Sequence, residues 1–297
     1  MKLTLLTLIN KENLMNSSNT KHFLNVKDYS VSQETFELLH DEELDMLITH
    51  PQPSLEKLPS YYESVGYISH TDGNKSVFEK MYQFVKSIAL KNKLKLINSQ
   101  SPKGKILDIG AGVGDFLSVC KNDGWQTIGI EPSDKAKAIA KNKGVSFVEN
   151  LSELESNSYD VITMWHVLEH VPDLENQIKE LKRLIKPTGT VIIAVPNFKS
   201  YDASYYGKYW AAYDIPIHLW HFSKKAIKKL FAKEELELVK VLPMKFDSFY
   251  VSLLSEKHKT GKMNFIKAFY LGLKSNWKGN QNFEYSSHIY FLKNVGS

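Results

Sequence analysis

Residues 105–117 read Lys105-Ile106-Leu107-Asp108-Ile109-Gly110-Ala111-Gly112-Val113-Gly114-Asp115-Phe116-Leu117. Ile106, Leu107 and Ile109 form the apolar run expected of a parallel strand covered on both faces. Glycines follow at every second position, 110, 112 and 114. Glycine takes positive φ without steric cost, and its bare backbone lets a ligand come close. The stretch predicts a buried strand, a glycine bend at its carboxyl end and the start of a helix. Ligands of open α/β sheets bind at that end.

A second strand, Trp125 to Ile130, runs into Glu131-Pro132. In dinucleotide folds an acid about 20 residues past the glycines, at a strand end, takes the ribose hydroxyls. Glu131 stands in that position. The glycines read G-x-G-x-G and are followed by Asp115, whereas a dinucleotide fingerprint reads G-x-G-x-x-G. On these residues the chain resembles the class I S-adenosylmethionine-dependent methyltransferases. Their first motif is an apolar strand, an acid, then G-x-G-x-G. The branch most resembled is the bacterial small-molecule O- and C-methyltransferases that include ubiquinone-type enzymes, and the likeness is best over 74–245. Two other readings stand beside it: a nicotinamide-dependent oxidoreductase, and a non-catalytic relative that keeps the fold as a binding or assembly module.

The resemblance implies an α/β fold. It is a seven-stranded, doubly wound, mostly parallel Rossmann-like sheet with helices on both faces and an antiparallel terminal hairpin strand. The alternation of elements fits it. Residues 74–98 carry a helical apolar stripe through Val77, Met81, Phe84, Val85 and Ile88. Ser133 is placed to cap a helix through Lys143. Strands are expected at 145–148, 159–165, 190–195, 236–242 and 288–292, with helices at 174–186 and 223–233. Residues 74–297 form the expected catalytic domain, with an aromatic cap at 197–222 and a helical insertion at 246–280. Residues 1–73 form an N-terminal extension, with strands within 22–39 and a short helix over 55–62 ending in Tyr61-Tyr62.

Among the 297 residues, 42% are hydrophobic and 24% charged, which suffices for a large core. The net charge of +5 is spread over many segments, not gathered into the stripe a nucleic-acid binder shows. The single cysteine, Cys120, excludes an intramolecular disulfide framework and a cysteine zinc cluster, and reads as a buried structural thiol. No apolar run reaches the ~18 residues of a membrane span. Met1 to Ile9 is faintly like a leader, but Asn10-Lys11-Glu12-Asn13 breaks it and no small-residue cleavage site follows. Met15 is an alternative start, and the expected location is cytoplasmic.

The family resemblance implies site residues. Gly110, Ala111, Gly112 and Gly114 let the cofactor lie against the bend. Asp108 orients its amino-acid end and Glu131-Pro132 meets the ribose. Asn150 and Leu151 lie where relatives contact the adenine. Trp165 and His166, at the end of the fourth strand, fall beside the methionine part and the acceptor. The base candidates are His218, His166 and His221, with His170 more structural, because histidine titrates close to neutrality. Tyr201, Tyr205, Tyr206, Tyr209, Trp210, Tyr213 and Trp220 read equally well as an acceptor lid or as cap packing.

His166-Val167-Leu168-Glu169-His170 also matches H-x-x-E-H, a zinc-protease pattern. That motif needs one helix face carrying both histidines, whereas a strand runs directly into His166 and Pro172 follows closely. No metal is expected. Met164-Trp165-His166-Val167 is unlike the N/D-P-P-Y/F motif of DNA amino-methyltransferases, and Cys120 is misplaced for a cytosine-C5 nucleophile. What remains is a small molecule, a lipid quinone-like precursor, a sugar or a protein side chain; the resemblance implies a small-molecule acceptor, with no nucleic acid and no membrane span. The residues leave the acceptor and the oligomeric state open.

Overall fold

Ile106, Leu107 and Ile109 are all buried in an inner strand of a six-stranded sheet. The structure, a computed structural model, describes residues 20–62 and 77–296. The leader and alternative start, and residues 63–73 with the first residues of the expected long helix, lie outside the described residues.

Three antiparallel strands come first: β1 (Thr20–Lys27), β2 (Thr35–Asp41) and β3 (Met46–His50). The Asp28 carboxylate closes the first turn by accepting the N–H groups of Ser30 at 2.7 Å and Ser32 at 2.6 Å. A 3₁₀ turn over Leu58–Tyr62 precedes α1 (Val77–Asn98). The alternating unit is then β4 (Lys105–Ile109), α2 (Asp115–Asn122), β5 (Gln126–Ile130), α3 (Asp134–Lys141), β6 (Tyr159–Trp165), α4 (Leu174–Leu184) and β7 (Ile185–Pro196). The cap contributes α5 (Tyr201–Tyr206) and β8 (Trp220–His221), followed by α6 (Lys224–Ala232) and β9 (Leu236–Pro243). Two helices, α7 (Asp247–Thr260) and α8 (Phe265–Asn282), lead to the closing strand β10 (Ser287–Asn294).

The strand order is β5-β4-β6-β7-β10-β9. β4 pairs in parallel with β5 and β6, β6 in parallel with β7, and β10 is antiparallel to both its neighbours. The expected seventh strand at 145–148 is reduced to one bridge, Phe147 to Gly129. The segment lies on an open edge, where only Gly129 and Val148 donate to the pairing, and Val145 is drawn inward to pack with Cys120 and Ala140. The helix expected to run to Lys186 ends at Leu184, so Pro187-Thr188-Gly189 belongs to β7. Asn294 on β10 holds that start of the strand by donating to the carbonyls of Lys186 and Pro187.

The pleat of β4 sorts its side chains between the two cores that cover the sheet. Leu107 and Ile109 join α4 and α6, and Ile106 joins α2 and the buried Cys120. Asp108 falls on the Ile106 face, towards α1 and α2. Ser133 caps α3 as expected, accepting from the N–H of Ala136.

The front meander forms a second sheet, β1-β2-β3-β8, in which β3 pairs with the cap through Leu47–His221 and Ile48–Trp220. Tyr206, Trp210 and Tyr213 are buried between this meander and α7, and Trp220 is buried in the main core. Four of the cap aromatics therefore serve as packing, while Tyr205 is exposed.

Candidate active site

β4 delivers the chain into the bend, where Gly110, Gly112 and Gly114 take φ of 73°, 54° and 74°. The three glycines answer different needs. A Cβ on Gly110 would lie 2.3 Å from Val167 Cγ2, and one on Gly114 would lie 2.6 Å from the Cβ of Ala140. Both therefore allow close internal packing. A Cβ on Gly112 would meet nothing within 4 Å among the described residues, so this glycine faces open space between them. Beside that space the Glu131 carboxylate accepts the Gly112 N–H at 2.8 Å through Oε2 and the Ser133 N–H at 2.9 Å through Oε1. Each carboxylate oxygen has two lone pairs, so both backbone bonds leave accepting capacity unused. Pro132 is exposed next to it, and the N–H groups of Gly110 and Ala111 are tied to the Ile130 carbonyl. The bend and the acid, separated in sequence, form one rim.

Asp108 lies beneath the rim and is 2% exposed. Burial pushes its carboxyl up to about 7, against the Thr163 hydroxyl, which donates to Oδ1 at 2.5 Å, and the Lys93 ammonium. Lys93 enters from α1, and its Nζ lies 4.2 Å from the centroid of Trp165. Burial lowers its pKa, opposed by Asp108 and Asp247. Phe116 meets Trp165 edge-on at 5.6 Å. The Trp165 Nε1–H is buried without a partner among the described residues. An unpaired buried donor costs about 1–3 kcal/mol and is a natural place for a ligand acceptor. Asn150 and Leu151 are employed locally: Asn150 bonds Glu153 in a capping box, and the Leu151 carbonyl accepts from Arg183 at 2.9 Å.

His166 follows β6 with φ of 57°, and its N–H is fixed to the Ala194 carbonyl at 2.9 Å. Its ring is held between two acids, Glu169 at 3.3 Å from Nδ1 and Asp247 at 3.1 Å from Nε2. Burial works to lower the His166 pKa, but bonds to Asp247 and Glu169 prevail and lift it to about 10. The ring therefore keeps both protons at neutral pH and acts there as a cation. Its stabilising contribution is complete below about 6.5 and fades as pH rises through about 10. Replacing Asp247 with Ala is expected to bring the ring's titration, followed by NMR, down towards neutrality and to flatten that alkaline stability loss. An unshifted titration would show that the pair does not form in solution.

The other three histidines are neutral. Burial is the first cause in each: it holds His170 at about 4, lowers His218, and puts His221 well below the ordinary range. His221 Nε2 is 3.1 Å from the Thr49 hydroxyl, where the cap joins the meander. The Nδ1 of His170 lies 3.0 Å from the Ile217 carbonyl, and the Nδ1 of His218 lies 2.9 Å from the Ala212 carbonyl. Nδ1 donation to these carbonyls fixes the tautomer and leaves a lone pair on Nε2. Glu169 is 1% exposed and its Oε2 has no hydrogen-bond partner among the described residues. Glu169, His170 and His218 bring potential ligand atoms within 4.8 Å of one another. This trio is not the zincin arrangement, since Leu168–His170 is a 3₁₀ turn and not an α-helix.

Sequence reading missed two participants, Lys93 and Asp247. Lys93 is one of many lysines on a helix, and Asp247 opens α7 within a lysine-bearing excursion. No motif marks either one; only the packing of α1 and α7 against the end of β6 brings them in.

A family model described as a methyltransferase domain matches residues 78–241. The ubiquinone biosynthesis O-methyltransferase of Nitrosospira multiformis is 34% identical over 102 residues, 31% of this chain and 43% of that protein. The same-named protein of Vibrio atlanticus is 34% identical over 109 residues, 33% of this chain and 46% of that one. The chain thus spans under half the length of these curated relatives. Among solved structures, geranyl diphosphate C-methyltransferase from Streptomyces coelicolor A3(2) superposes with a TM-score of 0.53 at 13% identity, over 81% of this chain and 97% of that one. At that identity the likeness is one of fold.

Proposed function

Because the chain belongs to the methyltransferase-domain family, we propose that it transfers a methyl group from S-adenosylmethionine to an oxygen, carbon or nitrogen of a small-molecule acceptor. The observation that supports this most is the Glu131 carboxylate bonded to the Gly112 N–H at 2.8 Å, beside the one bend glycine whose missing Cβ faces open space. These residues fit an adenosyl group: a bare backbone surface, an acid with free lone pairs, and the unpartnered Trp165 Nε1–H nearby. When bound, the cofactor supplies an electrophilic methyl carried on a sulfonium.

The protein's own part is alignment and exclusion of water more than charge stabilisation. Gly110, Ala111, Gly112 and Gly114 form the floor, Glu131 would take the ribose diol with Pro132 beside it, and Asp108 would orient the cationic amino-acid end. Asn150 and Leu151 remain proposed at the adenine side. Trp165 and Phe116 provide an apolar wall. We assign His166 the task of a fixed cation between Asp247 and Glu169, shaping the floor near the acceptor. His218 is the proposed base. It is neutral, its Nδ1–H is engaged, and the nearby Glu169 carboxylate, whose Oε1 holds His166 and whose Oε2 has no partner among the described residues, would steady the imidazolium formed on taking a proton. His221 contributes by joining cap to meander. The O-methyltransferase names of the curated relatives favour oxygen as the acceptor atom.

Calorimetry with S-adenosylmethionine, S-adenosylhomocysteine and NADH tests the reading. Heat with the first two and none with NADH is expected; no heat with either adenosyl compound would overturn it. Glu131→Ala is expected to weaken S-adenosylmethionine by at least about tenfold, since a charged partner of hydroxyl donors contributes on the order of 1.5–3 kcal/mol. Undiminished affinity in that variant would put the ribose elsewhere.

A further inference from the structure

α8 buries one face against the protein through Ala268, Leu271, Gly272, Ser275 and Gly279. Its opposite face is also apolar. Phe265, Ile266, Phe269, Tyr270, Leu273 and Trp277 are all exposed, Ile266 at 86% and Trp277 at 55%. At 3.6 residues per turn these six fall within an arc of roughly 140°. A contiguous apolar strip of this kind on an ordinary surface marks an interaction site.

The flank of the strip is basic. Lys267, Lys274 and Lys278 line one edge, and Phe265–Asn282 contains no Asp or Glu. Lys267 is paired with Glu256 at 2.9 Å. Lys274 and Lys278 lie against the rings of Tyr201 and Trp277, at 5.1 and 5.0 Å, and make no ion pair among the described residues. Lys262, just before the helix, is exposed as well. Aromatic and aliphatic side chains bordered by lysine stems are the composition of a helix that lies in a lipid interface, with charged heads reaching the phosphates. A second copy fits less well. Antiparallel pairing about this face would set lysine flank against lysine flank, with no acid on the helix to relieve it. No described helix is long and apolar enough to cross a membrane, so contact would be peripheral.

We propose that the exposed face of α8 docks the protein on an anionic lipid surface, with Ile266 and Trp277 entering the interface and Lys274 and Lys278 meeting the headgroups. The proposal is independent of the methyl-transfer reading. It extends to the site through the helix hairpin, because α7, which packs on α8, begins at Asp247 beside His166.

The test is co-sedimentation of the full chain with vesicles of phosphatidylcholine alone and of equimolar phosphatidylcholine and phosphatidylglycerol. Binding is expected on the anionic vesicles, at least tenfold tighter than on neutral ones, and to weaken with salt. Trp277 is the exposed one of five tryptophans, so bromine-labelled lipid should quench its emission. Ile266→Ser with Trp277→Ser should remove binding while thermal stability stays unchanged. Lys274→Glu with Lys278→Glu should cost roughly fivefold per lysine on anionic vesicles alone. Wild-type protein that ignores both vesicle types, a serine variant that binds as well as wild type, or a self-association abolished by those serines would each overturn the proposal.

Discussion

Gly112→Leu is expected to abolish S-adenosylmethionine binding, by on the order of 100-fold or more, while the protein still folds; that corresponds to about 2.7 kcal/mol. The position takes φ of 54°, so a side chain there pays the left-handed penalty of about 1–2 kcal/mol. Its Cβ meets no atom of the described residues within 4 Å, so none of these must move. The added bulk enters only the space assigned to the ligand. Gly110→Ala provides the contrast. Its Cβ would lie 2.3 Å from Val167 Cγ2, so stability should fall far more for a much smaller group. Thermal melts and calorimetry on the two variants separate the roles. A leucine variant that binds the cofactor as wild type does would show that the space over Gly112 is not the cofactor's.

Asp108→Asn is expected to stabilise the ligand-free protein at alkaline pH and to weaken cofactor binding by more than about tenfold. Burial lifts the folded carboxyl to about 7 from an ordinary 3.8. Between those values the folded state holds a proton that the unfolded chain has released, so stability declines as pH rises through the window. Above it the whole penalty of a buried carboxylate is present, on the order of a few kcal/mol. Below it the carboxyl is neutral in both states and costs nothing. Asparagine removes the charge and keeps an oxygen to accept from Thr163. The melting curves of wild type and variant should therefore converge in acid and separate in base. Parallel curves would show that Asp108 is solvated. The combination of a stabilised apoprotein and impaired binding would mark a carboxylate kept charged for a ligand.

Much of the site is local in sequence, and that part is legible. A bend that must turn at positive φ needs glycine at fixed spacing, and the acid at the end of the next parallel strand is brought beside it by the fold itself. Asp108, Gly112 and Glu131 are read correctly as neighbours for that reason. Lys93, Asp247 and Thr49 are not, because each reaches its partner across an element boundary: Lys93 to Trp165, Asp247 to His166, Thr49 to His221. The strand expected at 145–148 fails because alternation reports which face is buried, and an edge segment with one neighbour needs more than alternation to pair.

The sequence alone determined that a parallel sheet would present a bare bend and a carboxylate at one lip, since spacing and backbone sterics leave few other outcomes. Tertiary structure decided the charges. His166 became a cation and Asp108 a reluctant anion only when burial and partners from α1 and α7 joined the local ones around them, because the pKa of a buried group is set by everything packed against it and not by its neighbours in the chain alone.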